Sequence, residues 1–299
     1  MSRSRRALLV ANVAAGQGDK AVLAARVTRE LTGLGFAVEL APTAGPGDAT
    51  RLAREGAAGG CEVVFALGGD GTLRETAAGL AGSSVPLGPL PGGTTNVLVR
   101  ALGLPPDPLA AARVLAPLAP RPLAAGFAAD QLFLMQLSGG LDAHVLANLT
   151  TRWKRRFGKA YIATASLGRF WSYDYPTFQA ETDSGEILPG SLIVVANIPL
   201  YGGPFRMAPR ARTDRPGFEV VAFSGRGRAA TLGFAFDLVR GRHLERPDVT
   251  VRSVGTLRLT GASRIPLQLD GDVFPQALPI AIRPLDVPLL VLAPVERGA

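Results

Sequence analysis

The sequence predicts an α/β domain over residues 1–122 followed by an antiparallel β domain over residues 123–299. Three observations predict it. Strand and helix patterns alternate through the first third of the chain, which is the signature of a parallel sheet covered by helices. After about Pro120 the pattern changes to short apolar segments separated by Gly, Pro and Asp, as in an antiparallel domain. Finally, the strands of the first part end in glycine-rich corners that lead directly into helices.

Taken in order, Ala7 to Val10 is a buried first strand: Arg3, Arg5 and Arg6 precede it, but the apolar run is too short for a secretory leader and Asn12 interrupts it. Lys20 to Leu34 carries Val22, Leu23, Val27 and Leu31 at helical spacing. Phe36 to Leu40 alternates as a strand, and Asp48 is placed to cap a helix running to Glu55. Val63 to Leu67 and Val85 to Leu90 are strands; helices follow at Leu73 to Leu80 and Val97 to Leu102. In the second part, strands are expected at Leu132 to Leu137, Phe178 to Thr182, Leu192 to Ala196, Glu219 to Phe223, Val249 to Val254 and Leu257 to Thr260. Helices are expected near Tyr161 to Phe170 and Ala229 to Val239. The last residues are expected to pack back on the first domain.

A hydrophobic content of 47% in 299 residues suffices for a real core. The formal net charge is +8, and with only Lys20, Lys154 and Lys159 the basic residues are overwhelmingly arginine. Such a balance attracts nucleotides, nucleic acid or anionic membrane surfaces. The single cysteine, Cys61, excludes an internal disulfide and suits a reducing compartment; with only His144 and His243, a His/Cys zinc site is not expected. No stretch is long and apolar enough to span a membrane.

The strongest local feature is the corner Leu67-Gly68-Gly69-Asp70-Gly71-Thr72-Leu73. Glycines let a ligand approach the backbone, and a helix start offers free N–H groups and the positive end of its dipole. Thr72 can donate to a phosphate oxygen; Asp70 can hold a Mg²⁺ or stay charged among backbone donors. A second corner, Pro91-Gly92-Gly93-Thr94-Thr95-Asn96, repeats the glycines and hydroxyls at the next strand-to-helix junction. A third, from Asn12 to Lys20, matches neither the dinucleotide fingerprint nor the P-loop order. Thr43 ends the second strand and can reach the same crevice. Each feature alone is compatible with an ordinary turn.

Together these residues resemble a known family. Gly68-Gly69-Asp70-Gly71-Thr72 followed by Gly93-Thr94-Thr95-Asn96 is similar to the diacylglycerol kinase catalytic domain shared with sphingosine, ceramide and bacterial lipid kinases. In the second half, Gly139-Gly140-Leu141-Asp142-Ala143, the stretch Ala196 to Pro209, and Leu267-Gln268-Leu269-Asp270-Gly271-Asp272 resemble family motifs in the same order. The resemblance implies an N-terminal domain like that of NAD kinase and phosphofructokinase, and a C-terminal β-sandwich. It implies ATP and Mg²⁺, with nucleotide contacts from Asn12, Thr43, Gly68, Gly69, Asp70, Gly71, Thr72, Leu73, Arg74, Gly93 and Thr94. It places the general base at Asp272, with Asp70 beside it in the catalytic set, and a lipid hydroxyl as acceptor.

This sequence departs from the family pattern at several positions. Asp272 stands where Glu is usual, Val97 where Asp is frequent, Arg74 where Asn is frequent, and Val13 where Pro is frequent. Of the acidic stretch that holds a structural metal in some members, only Asp214 remains. The basic and aromatic residues Arg152, Trp153, Lys154, Arg155, Arg156, Phe157 and Lys159, with Phe170, Trp171, Tyr173 and Tyr175 downstream, suit an anionic membrane surface, and equally a solvated basic face. The expectation is a cytoplasmic, peripherally membrane-associated lipid kinase, with no nucleic-acid partner and a homodimer left open. The alternatives are a nucleotide- or lipid-binding pseudokinase and an NAD kinase-like enzyme.

Overall fold

The computed structural model describes residues 4–13, 19–147 and 170–295. The chain divides into two compact units: one of residues 1–125, 213–215 and 285–299, the other of residues 126–212 and 216–284. In chain order the first unit holds β1 (Arg5–Ala11), α1 (Asp19–Gly33), β2 (Phe36–Pro42), α2 (Asp48–Ala58), β3 (Val63–Gly68), α3 (Asp70–Leu80), β4 (Leu87–Pro91), α4 (Val97–Ala101), α5 (Pro108–Leu115) and β5 (Pro120–Leu123). The second holds β6 (Gly126–Ala128), β7 (Gln131–Phe133), β8 (Gln136–Gly139), α6 (Leu141–Ala147), β9 (Phe178–Thr182), β10 (Ile187–Gly190), β11 (Leu192–Ala196), β12 (Leu200–Tyr201), β13 (Phe205–Arg206), β14 (Phe218–Phe223), α7 (Gly227–Val239), β15 (Val249–Val254), β16 (Leu257–Thr260), β17 (Leu267–Leu269), β18 (Asp272–Phe274) and β19 (Ile280–Pro284). The last strand, β20 (Leu289–Leu292), belongs to the first unit.

The first sheet has the order β2-β1-β3-β4-β20-β5. Strands β2, β1, β3, β4 and β20 run parallel, and β5 closes the edge antiparallel to β20. Strands β1 and β3 are apolar without alternation because helices cover both faces; Leu9, Val10, Val64 and Phe65 have no exposed surface. Asp48 does not cap α2. The cap position is Gly47, and the Asp48 carboxylate instead accepts the amides of Ala44 and Gly45, closing the loop before the helix. Helix α5, which the apolar spacing alone did not single out, carries a complete start signal: Asp107 accepts the Ala110 amide at 2.8 Å and Pro108 follows.

The second unit is a sandwich of two antiparallel sheets, β10-β9-β16-β19-β6-β7 and β15-β14-β11-β8-β17-β18. Phe178, Leu259 and Ile280 of one meet Ile193, Val220 and Leu267 of the other in a shared core. The second sheet is also covered on its outer face. There Val194, Ala196, Val221 and Phe223 pack against Met207, Ala208 and Phe234 of α7. Double burial explains why β11 reads as an unbroken apolar run and why β14 does so apart from Glu219. The helix expected near Tyr161 to Phe170 lies outside the described residues except at its end.

The strand expected from Leu132 to Leu137 is broken into β7 and β8, for an electrostatic reason. Asp270, 4% exposed, accepts the amides of Leu134 and Met135 at 2.8 Å and of Gln136 at 2.9 Å, which pulls those N–H groups out of strand pairing. Asp270 and Gly271 both adopt positive φ and join β17 to β18 with Leu269 opposite Asp272, the two-residue hairpin that Asp-Gly favours. Replacing Asp270 by Ala strands three amides and strains the turn. We expect a loss of about 3 kcal/mol in a urea titration with unchanged slope, and a smaller loss for Asp270→Asn, which tolerates positive φ and keeps one acceptor.

Candidate functional site

In the first unit the strand order reverses direction of growth between β1 and β3, and ligands of open parallel sheets bind beyond the carboxyl ends of strands at such a point. Asn12 leaves β1 here. Its amide donates to Leu67 O at 3.0 Å, and its side chain donates to Thr72 Oγ1 at 3.4 Å. Thr43 leaves β2 beside it, 7% exposed, its amide on Ala11 O at 2.9 Å. Asn12, Thr43 and the Gly68–Thr72 corner thus line one end of one sheet.

The second glycine corner is locked to the first. The Gly92 amide donates to Gly68 O at 2.8 Å. A Cβ on Gly92 would stand 2.9 Å from Gly68 Cα, and one on Gly93 only 2.6 Å from Gly69 Cα. Asp70 ties the corners electrostatically: its carboxylate accepts the amides of Val97 and Leu98, both at 3.1 Å, at the start of α4. Of the two roles the sequence left open for Asp70, this is charge held among backbone donors. Asn96, at φ 46°, exchanges two hydrogen bonds of 2.9 Å with the Gly93 backbone, leaving Thr94 and Thr95 exposed.

Gly69 differs from its neighbours. An added Cβ there meets nothing closer than 3.5 Å, and its φ of −82° is open to any residue. Packing does not require this glycine, whereas a ligand approaching the first turn of α3 would. The corner therefore fits a phosphate: bare backbone, an eleven-residue helix beginning at Asp70, and hydroxyls to either side. Arg74 lies half-buried in the first turns of α3. Leu73 corrects an expectation. It is fully buried and its amide donates to Gly69 O at 3.1 Å, so neither side chain nor N–H remains for a ligand.

Asp214 belongs to the first unit, and no group of three or more His, Cys, Asp or Glu side chains able to hold a metal occurs among the described residues. In the sequence Asp214 lies between Arg212 and Arg215.

In the second unit, Asp272 is exposed at the start of β18, immediately after the Asp270-Gly271 turn. A hydrogen-bonded line runs from this turn. The Gly271 amide donates to Gln268 Oε1 at 2.8 Å, Gln268 Nε2 donates to Ser138 Oγ at 2.7 Å, and Ser138 Oγ donates to Asp142 Oδ2. Tyr201 donates its hydroxyl to the same oxygen. Burial, and then the Asp142 charge, hold the Tyr201 phenol well above its ordinary pKa, so it remains a donor. Asp142 Oδ1 is buried and has no partner.

Asp142 and Tyr201 stand in the wall of a cavity of about 390 Å³. Its other walls are mostly apolar, including Leu141, Val145, Leu192, Phe223, Phe234 and Leu238. Sequence reasoning quoted Asp142, Tyr201 and Gln268 within motifs but gave them no role, and missed Ser138, which carries no local signature. It also missed Glu219, 2% exposed, whose Oε2 accepts the Arg210 amide at 2.7 Å and whose carboxyl burial pushes above its ordinary pKa. The basic run from Arg152 to Lys159 lies outside the described residues. Tyr173 and Tyr175 are buried, Tyr173 against His144 at 4.9 Å, while Trp171 is exposed.

Comparison with known proteins accounts for both units. Residues 6–127 match the diacylglycerol kinase catalytic domain, and residues 135–291 match the YegS C-terminal NAD kinase beta sandwich-like domain. The chain belongs to the YegS-like and diacylglycerol kinase family of lipid kinases. A probable lipid kinase YegS-like of Pseudomonas aeruginosa (strain UCBPP-PA14) is 33% identical over 265 residues, 85% of this chain and 84% of that one. A diacylglycerol kinase of Bacillus subtilis (strain 168) is 26% identical over 273 residues, 90% of each chain. With a probable lipid kinase YegS-like of Pseudomonas putida the match is 40% over 143 residues, about half of either chain. A crystal structure of a diacylglycerol kinase from Bacillus anthracis str. Sterne shares the fold at a TM-score of 0.72, covering 98% of each chain at 20% identity.

The glycine geometry separates packing from ligand binding. Gly93→Ala forces backbone against backbone and should cost roughly 1–3 kcal/mol in thermal or urea unfolding. Gly69→Ala should stay within about 1 kcal/mol of the parent yet weaken binding of a triphosphate ligand, read by calorimetry, by roughly tenfold or more. For Glu219 the folded-state pKa lies above the unfolded one, so its contribution is full below the unfolded pKa and is lost as pH rises through the folded value. Relative to Glu219→Gln, the parent should therefore be most stable in acid and lose ground towards neutral pH, as followed by unfolding midpoints across a pH series.

Proposed function

We propose that this lipid kinase transfers the γ-phosphate of ATP to the hydroxyl of a long-chain lipid of diacylglycerol-like or sphingoid type. The observation that carries the reading is a mostly apolar cavity of about 390 Å³ with Asp142 and Tyr201 in its lining. Such a cavity takes hydrocarbon, and a few polar groups in an apolar wall favour a ligand with one polar end. Membership of a lipid kinase family supports the same choice.

The first unit's glycine corners would hold the triphosphate on backbone amides and the α3 terminus, with Thr94 and Thr43 hydroxyls nearby. Mg²⁺ would arrive with the nucleotide, and Asp70 and Thr72 are the polar side chains of the first glycine corner that would lie nearest it. When bound it neutralises phosphate charge during transfer. Asp272 is the base in this proposal, accepting the proton of the attacking hydroxyl. Asp142, held by Ser138 and Tyr201, orients the lipid's polar end, and the line through Gln268 keeps the Asp272 turn in register with it. A cytoplasmic location, with lipid taken from a membrane surface, agrees with this chemistry; no helix among the described residues is long and apolar enough to cross a membrane.

The decisive experiment is transfer of label from γ-labelled ATP with Mg²⁺ to a panel of hydroxyl lipids in mixed micelles, with NAD as a control acceptor. We expect label in one lipid class and none in NAD. Asp272→Asn should lower kcat by about 10²–10⁴-fold, whereas Asp142→Ala should act mainly by raising the lipid KM. Label in NAD alone would replace this reading by an NAD kinase-like one; saturable ATP binding with no transfer to any acceptor would replace it by a binding protein.

A further inference from the structure

Helix α7 has two apolar faces, and only one is accounted for. Thr231, Phe234, Ala235 and Leu238 contribute to the cavity wall. Roughly a third of a turn round the helix, Leu232, Phe236 and Val239 are exposed at 58%, 58% and 68%. The helix has only two charged residues, Arg228 and Asp237, in its thirteen. Asp237 is paired with Arg246 at 2.7 Å on a separate flank. A helix apolar all round belongs inside a core or against lipid, and this one lies at the surface.

Trp171, 58% exposed, joins the patch at its start. Arg228 stacks over the Trp171 ring at 4.6 Å and donates to its carbonyl at 2.6 Å. At the other end Arg240 stacks over Phe236 at 5.0 Å. Exposed Arg226, which donates to Thr177 Oγ1, adds a further cation; Arg242 is paired with Glu245. The composition is thus aliphatic and aromatic side chains at the centre with guanidinium groups at both ends.

We propose that this face of α7, with Trp171, docks on an anionic bilayer, the helix lying in the plane of the interface. Leu232, Phe236 and Val239 enter the acyl boundary, while Arg228 and Arg240 meet lipid phosphates. Charge complementarity selects this occupant: an isologous pairing of two copies would bring arginines of both copies to one interface. The inference rests on the lipid reading of the cavity and deepens it. With the bilayer on one face of α7 and the cavity on another, a lipid's path into the cavity is about one helix diameter, roughly 10 Å.

Sedimentation of the full chain with vesicles of phosphatidylglycerol and phosphatidylcholine, against phosphatidylcholine alone, tests it. The parent should bind the anionic vesicles. Leu232→Asp with Phe236→Asp, and separately Arg228→Glu with Arg240→Glu, should each weaken binding by roughly tenfold or more. Phe236→Trp should be quenched by brominated acyl chains. A parent that does not sediment with anionic vesicles, or variants that bind as the parent does, would overturn the proposal. So would a dimer lost in the Asp variant with vesicle binding unchanged. Phosphorylation of a short-chain, monodisperse lipid keeps the two readings apart: the Asp variant should retain it. Vesicle binding lost in the variants while no form phosphorylates any lipid would uphold the docking face and remove the kinase reading.

Discussion

Where β3 and β4 end, two stretches of backbone lie so close that nothing larger than hydrogen fits on Gly92 and Gly93, and the Thr72 side chain sets the same limit on Gly68. A Cβ on Gly68 would stand 2.5 Å from Thr72 side-chain atoms, and those on Gly92 and Gly93 would meet Gly68 and Gly69 at under 3 Å. This contact holds the two corners in one surface. Asp70 can reach the α4 amides because Gly92 and Gly93 bring that helix start alongside α3. Asn96 accepts its left-handed conformation for the same reason, and Asn12 meets Thr72 across the β1–β3 boundary. The crevice is therefore preorganised by packing, and a ligand entering it meets donors already placed.

The second unit solves a different problem with similar economy. A carboxylate at the end of an apolar cavity is costly to leave uncompensated. Asp142 is compensated on one oxygen only, by two hydroxyls, and the donors are themselves held: Ser138 by Gln268, and Gln268 by the Gly271 amide. Asp270 fixes the same turn from beneath through three amides of the β7–β8 break. Two adjacent aspartates of one motif thus do opposite work. Asp270 is buried and committed to backbone, while Asp272, two residues on, is exposed at the head of β18.

Much of this was legible in the sequence, and the limits of legibility are physical. Local features survived best. The glycine corners announced themselves because only glycine tolerates such backbone approach, and Asp270-Gly271 because that pair favours positive φ. The architecture followed from alternating and unbroken apolar patterns. Relations between distant residues were not legible. Nothing near Leu134 signals that Asp270 will take its amide, so the expected single strand is in fact two. Nothing in Leu73 distinguishes a ligand contact from a core residue until its burial is known. Ser138 and Tyr201 meet Asp142, and Gln268 meets Ser138, only once strands far apart in the chain are folded together. A metal role for Asp214 is not legible from sequence, because a metal needs several ligands at once and spacing along one segment does not show partners from elsewhere.

The doubly covered sheet links the core to the surface. Because β11, and β14 but for Glu219, are apolar on both faces, something must pack on the outer one, and α7 does so through Phe234, stacked on Phe223 at 4.6 Å. The helix is anchored from the side by Arg246, which bridges Asp237 and Asp248. Anchoring at the side and packing below would be complete with a polar outer face, as in most surface helices. Here the outer face is Leu232, Phe236 and Val239. Stability of the sandwich does not require those residues, since they touch water rather than core, and exposed apolar side chains in a group raise the hazard of aggregation. A bilayer, a hydrocarbon layer flanked by phosphates, is the environment that their pairing with arginine matches, which is the ground on which we propose it as the cover of this face.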